Sequence, residues 1–254
     1  MQARALVAIR YAVSVKPEAW EIPEVPVPEA TAHDAAVLRI YLLLSAWAAA
    51  RGNCRVARNL ALRWLENYPR TGIDPDVCVI SPAPADFESL TSLRLWEPSR
   101  TPPVFCAEVV SASHPYKDYS EIHERYAAAG VFELVVLDPG LFGPKALGGP
   151  VLLQLWRRDA SGAFERLHFG DGPVFSQALD AWISVIAGQL LISSDQAGVD
   201  RWLTGEERAL AEMERALAEK ERALAEKERA LAAREEIERR LRELELSLER
   251  NRAP

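Results

Sequence analysis

Asp76 and Glu108 each interrupt an apolar run. Asp76 lies in Ile73-Asp74-Pro75-Asp76-Val77-Cys78-Val79-Ile80, and Glu108 in Val104-Phe105-Cys106-Ala107-Glu108-Val109-Val110-Ser111. Runs of this kind are the sequence form of strands buried on both faces. An ionised carboxylate in such a strand is costly unless a countercharge meets it. Two carboxylates that converge make an oxygen-rich site for Mg²⁺, with a backbone carbonyl and water completing the shell. A metal held there activates water and stabilises the charge of a phosphodiester under attack. A neighbouring cation, usually a lysine, orients the water or stabilises the developing charge. The residues by themselves leave two simpler readings open. Asp76 follows a proline and could be an acid at a strand edge, and Glu108 could pair with an arginine in the body.

The elements that would position these acids are readable from punctuation and periodicity. His33–Arg51 reads as a helix ended by Gly52. Cys54–Leu65, Val77–Ile80, Val104–Val110 and Phe132–Asp138 read as strands. Ser81–Arg100 reads as loop with a helical turn, and Tyr119–Ala129 as a helix stopped by Gly130. That helix joins the Glu108 strand to the Phe132 strand by a connection long enough for a parallel crossover. Val151–Arg157 and Ala163–Phe169 read as a hairpin about Asp159-Ala160-Ser161-Gly162. Val174–Ile192 is expected to be helical, with Trp182, Val185, Ile186 and Leu190 on one face. The order predicts an α/β (α+β) fold with a mixed sheet flanked by helices.

Composition bounds the alternatives. The chain has 254 residues, 49% of them hydrophobic, and a net charge of −7. That length allows one sizeable core plus an appendage. No apolar run reaches the roughly 18 residues a membrane span needs; Arg39 interrupts the nearest, Ala35–Ala50. No secretory signal is evident at the N-terminus. Cys54, Cys78 and Cys106 read as small buried residues of a reducing compartment, and a cytoplasmic location is expected. Without a basic run, any contact with DNA must come from scattered Arg and Lys.

The composition changes near Gly205, which predicts a body over 1–204 and a charged helix over 205–254. Between Glu206 and Arg250 there is no Gly or Pro, and a seven-residue unit recurs with Leu210, Leu217, Leu224 and Leu231 in equivalent places. These are strong helix formers, and the helix would be roughly 65 Å long at about 1.5 Å per residue. The residues three beyond the leucines are Met213, Lys220, Lys227 and Arg234, which makes a poor seam. Ile237, Leu241, Leu244 and Leu248 form a better apolar set, out of phase with the first. A solvated single helix and a coiled-coil handle both fit. The handle would make residues 206–250 the contact for a homodimer or a helical partner protein.

An ordered series of motifs then becomes recognisable. It runs from Pro75-Asp76-Val77 through Ala107-Glu108-Val109-Val110-Ser111, Asp118, Tyr126 and Gly130-Val131-Phe132-Glu133-Leu134 to Val136-Leu137-Asp138-Pro139. Together with His33, this series resembles the Uma-type restriction-endonuclease family of the PD-(D/E)XK nuclease fold, over roughly residues 15 to 190. The resemblance implies a restriction-endonuclease-like fold with Asp76 and Glu108 as metal ligands. It also implies an acid ahead of the first helix, for which Glu21 fits best and Glu24 is the alternative. It implies Mg²⁺, with Mn²⁺ as a substitute, and DNA as substrate.

Two departures from the family pattern stand out. The superfamily places a lysine two residues after the second acid, where this chain has Val110. The Uma-type pattern places it four residues after the aspartate matched by Asp118, where this chain has Ile122. Lys117, His123 and Arg125 are the nearby candidates for the missing cation. Arg125 stays protonated and suits phosphate orientation better than proton transfer. His33 is expected near the site rather than as a ligand, and Tyr126 is expected to pack its ring beneath the helix. His114, His123 and His168 are expected at the surface or in structural roles. Two functions follow as expectations: a metal-dependent DNA endonuclease, or a catalytically impaired nuclease fold that binds or assembles through its tail.

Overall fold

A computed structural model describes residues 31–68, 71–120 and 122–252, with side chains in the last helix described as far as residue 244. The chain divides between Thr204 and Gly205 into two units.

The first unit is built on a six-stranded mixed sheet. Helix α1 (Thr31–Arg51) leads to β1 (Arg55–Arg58), β2 (Ala61–Arg63), β3 (Gly72–Ile73) and β4 (Val77–Ile80). After β5 (Ser92–Arg94) and β6 (Phe105–Val109) come helices α2 (Pro115–Ser120) and α3 (Ile122–Ala129). Strands β7 (Glu133–Leu137), β8 (Leu153–Arg158) and β9 (Phe164–Gly170) complete the sheet. Its order is β1-β4-β6-β7-β8-β9. Strands β6 and β7 run parallel across the helical connection, and every other neighbouring pair is antiparallel.

The central strands are apolar throughout because both faces are covered. Val77, Val79, Phe105, Ala107, Val109, Val135 and Leu137 face a core shared with α1 and a small sheet of β10 (Val174–Ser176), β11 (Ala181–Ile186) and β12 (Gln189–Ser193). Cys78, Ile80, Cys106, Leu134 and Val136 face a second core with α3 and the β3-β2-β5 sheet. The alternation is the period of two that a pleated strand imposes. On α1, Val37, Ile40, Leu44 and Ala48 meet the sheet from one face of the helix. The three cysteines are buried and free.

Several expectations need correction. Val174–Ile192 is not a helix. Ala187 and Gly188 both have positive φ (51° and 75°), the two-residue turn that matches hairpin twist, and Ile186 pairs with Gln189 across it. Within β11 the buried Ala181, Ile183 and Val185 alternate with less buried neighbours, so the apolar pattern has a period of two. Cys54–Leu65 is two strands, broken at Asn59, which has φ 51°. The 81–100 segment carries β5, which pairs parallel to β2. The helix expected over 119–129 is divided into α2 and α3, and α2 begins earlier, at Pro115.

The second unit is a single helix, α4 (Gly205–Arg252), with exposed leucines along it. None of the described helices is long and apolar enough to cross a membrane.

Candidate active site

Asp76 immediately precedes β4, and Glu108 lies within β6. Val77 pairs with Ala107 in the antiparallel ladder. One step further sets Asp76 opposite Glu108, on one face of the sheet and about 5 Å apart at Cβ. The backbone thus brings the two acids together, on the side of the second core.

Asp76 is held from two directions. The Val109 amide donates to its Oδ2 at 2.7 Å. His33, in the first turn of α1, donates from Nε2 to the Val109 carbonyl at 2.9 Å and stands 3.4 Å from the same Asp76 oxygen. His33 therefore ties α1 to the end of β6 and to the first acid.

Glu108 is only 2% exposed. The hydroxyl of the fully buried Tyr126 donates to its Oε1, and Lys117 Nζ lies 3.8 Å from its Oε2. Burial pushes the Glu108 carboxyl well above the usual carboxylate range, and the charge of Asp76 pushes it further. The Lys117 ammonium opposes both. At an effective dielectric of 20, a pair at that separation attracts by about 4 kcal/mol before screening. Half of the Lys117 side chain is exposed, so solvent removes much of that. Desolvation of a buried ion costs several kcal/mol. The lysine alone leaves Glu108 undercompensated.

Asp118 adds a third acid near the pair. It is 5% exposed, and its Oδ1 has no hydrogen-bond partner among the described residues. Burial raises its pKa to about 7, with Lys117 and His33 opposing and Asp76 reinforcing the rise. Glu108, and after it Asp118 and Asp76, hold the Lys117 ammonium above its ordinary range. Lys117 is thus a firmly protonated cation at an acidic site.

The expected site residues fare differently. Asp76, Glu108 and Lys117 come together. Arg125 is half-buried and directly precedes Tyr126, so it leaves α3 about 100° from the side chain that reaches Glu108. Val110 and Ile122, at the two places where a lysine was expected, are buried in the second core. Glu21 and Glu24 lie outside the described residues. Tyr126 does pack beneath the helix, but its hydroxyl has a partner that sequence reasoning did not supply. The available signal was that a buried Tyr hydroxyl must find an acceptor. His123 stacks on Trp156 at 4.4 Å, and His168 accepts from the Gly172 amide at 3.0 Å.

A cavity of 480 Å³ lies beside His33, walled also by Arg39, Val109, Leu137, Phe142 and Leu190. Its floor is the end of β6, next to the Asp76 contact. Asp138, across the parallel ladder's end, is structural. It accepts from the Tyr119 hydroxyl at 2.9 Å and from the Phe142 and Gly143 amides at 2.8 Å each.

Residues 21–141 match Uma2, a family described as "Putative restriction endonuclease". A solved structure from Anabaena variabilis ATCC 29413, described as "a putative nuclease belonging to DUF820", is similar over 63% of this chain and 79% of its own. The identity is 13% and the TM-score 0.42. No curated protein matches the chain.

Proposed function

From the match of residues 21–141 to the Uma2 family, we infer a metal-dependent DNA endonuclease that hydrolyses phosphodiester bonds in the cytoplasm. One observation carries the reading. A nearly fully buried Glu108 stands opposite Asp76, and among the described residues only a half-exposed lysine and a tyrosine hydroxyl compensate it.

The donors fit a hard divalent cation. Asp76 and Glu108 would hold it through carboxylate oxygens, with Glu21 as the third acid. Among the described residues no three His, Cys, Asp or Glu side chains gather as a metal cluster. Two carboxylates suffice for Mg²⁺, which keeps several of its waters, and Mn²⁺ accepts the same ligands. When bound, the ion supplies Lewis-acid polarisation and a more acidic water.

The chain's own residues supply the rest. Tyr126 fixes the rotamer of Glu108, and the Val109 amide and His33 fix Asp76, so neither acid must reorganise when DNA arrives. Lys117 reaches the site from α2, ahead of the position left apolar by Ile122. Its raised pKa keeps it charged, which suits orienting a phosphate oxygen and stabilising the pentavalent charge. That same shift makes it a poor base.

The second reading, a catalytically impaired module that binds without cutting, draws on Val110 and Ile122, both buried in the core where a lysine was expected. Supercoiled plasmid in Mg²⁺ or Mn²⁺ separates the two. Nicking or cutting that is lost in Asp76→Ala and in Glu108→Ala supports the endonuclease. Cleavage undiminished in both variants sinks the assigned site. DNA binding without any cleavage in Mn²⁺ favours the impaired module.

A further inference from the structure

The charges beside the leucine ladder of α4 are segregated. Leu210, Leu217, Leu224 and Leu231 remain 51, 57, 51 and 49% exposed. In a supercoiled helix they lie on one line, with residues four further on about 50° to one side and residues three further on about 50° to the other. The first flank holds Glu214, Glu221, Glu228 and Glu235; the second holds Met213, Lys220, Lys227 and Arg234. Among the described residues Glu214, Lys220, Glu221, Lys227 and Glu228 form no ion pair. Beyond the ladder, Arg234 pairs with Glu238 and Arg240 with Glu236.

We propose that α4 pairs with α4 of a second copy of this chain, parallel and in register, along Leu210–Leu231. The argument is one of symmetry. A two-fold axis parallel to the helices sets the acidic flank of each against the basic flank of the other, on both edges of the seam. A two-fold axis perpendicular to them sets Glu against Glu and Lys against Lys. The surface is therefore self-complementary in the parallel arrangement alone, and like charges oppose the antiparallel one. Each leucine then meets its own counterpart, which buries the exposed half of four side chains per helix. The seam ends near Arg234, because Ile237, Leu241 and Leu244 are rotated off the line. The pairing is independent of the nuclease reading, since it involves no residue of the site.

The test uses the full chain. Light scattering should give twice 28.2 kDa. Lys220→Glu with Lys227→Glu should return it to the monomer mass, and adding Glu221→Lys with Glu228→Lys to the same chain should restore the dimer. Circular dichroism reports whether α4 persists, and the restored variant decides if helix is lost in the first. Under oxidation Leu217→Cys alone should form a covalent dimer, since the native cysteines are buried. A monomeric wild-type chain overturns the proposal. So does a dimer that survives Lys220→Glu with Lys227→Glu, or cross-linking that needs Leu217→Cys mixed with Leu224→Cys, the antiparallel signature.

Discussion

Two buried glutamates sit at opposite ends of the parallel β6–β7 pair and are treated differently. Glu133, at the start of β7, is completely buried. Its Oε1 takes Arg157 Nε at 2.6 Å and the Gln177 amide at 2.9 Å. Its Oε2 takes the Ser176 hydroxyl at 2.5 Å and the Ala178 amide at 3.2 Å. Every oxygen is used, and the result is a latch between the six-stranded sheet and the segment after β10. Glu108, near the end of β6, has one tyrosine hydroxyl and a distant, half-exposed lysine. Similar burial with unequal compensation separates a carboxylate whose oxygens are all engaged from one that, among the described residues, is sparsely partnered.

Breaking the latch should have the largest effect. Glu133→Ala leaves the half-buried Arg157 guanidinium and three further donors without their acceptor, and should cost about 3–5 kcal/mol of unfolding free energy in urea. Glu108→Gln in the absence of divalent cation should cost less than about 1 kcal/mol, because it removes a poorly paired charge. Equal losses would erase the distinction.

Next comes pH. Asp118 and Glu108 have raised pKa values in the folded state, so folding favours their neutral forms. Their contribution is fully present below the ordinary carboxylate range and is lost as pH rises through the folded value, about 7 for Asp118. Metal-free protein should therefore lose about 2–4 kcal/mol between about pH 4 and about pH 8 from this source. Asp118→Asn should flatten that slope in urea titrations, and Mg²⁺ should offset it. A slope unchanged by Asp118→Asn would assign the loss elsewhere.

Lys117→Met should lower the rate of DNA cleavage by about 10- to 100-fold, the size of a lost charged contact in a transition state, with stability changed by less than about 1 kcal/mol. Full activity in that variant would leave the cation to another residue. The smallest expected effect is Tyr126→Phe, which loses one hydrogen bond to Glu108. It should cost about 1 kcal/mol and weaken Mn²⁺ binding in calorimetry.

Much of this was legible in the residues. The long helices at His33 and after Gly205, the strands carrying the acids and the 151–169 hairpin all follow from periodicity and punctuation. At the hairpin turn Asp159 accepts from the Ser161 and Ala163 amides. Failures fell where two periods overlapped. Trp182, Val185 and Ile186 satisfy a helical spacing, yet Ala181, Ile183 and Val185 satisfy a strand's, and the Ala187-Gly188 turn decided for the strand. Ser92–Arg94 is too short and polar at its ends to declare itself without the β2 edge it joins.

At the site, sequence alone determined that two acids interrupt buried strands and that the usual lysine positions are apolar. The first is a fact of residue type and spacing, and the second is what the family resemblance implies. What only the tertiary structure decided is which groups meet the acids. The β4–β6 register sets Asp76 opposite Glu108, α3 brings the Tyr126 hydroxyl beneath it, and α2 swings Lys117 to within 3.8 Å. Contacts of that kind join residues far apart along the chain. They depend on how helices pack on a sheet, and no local pattern of residues encodes that distance.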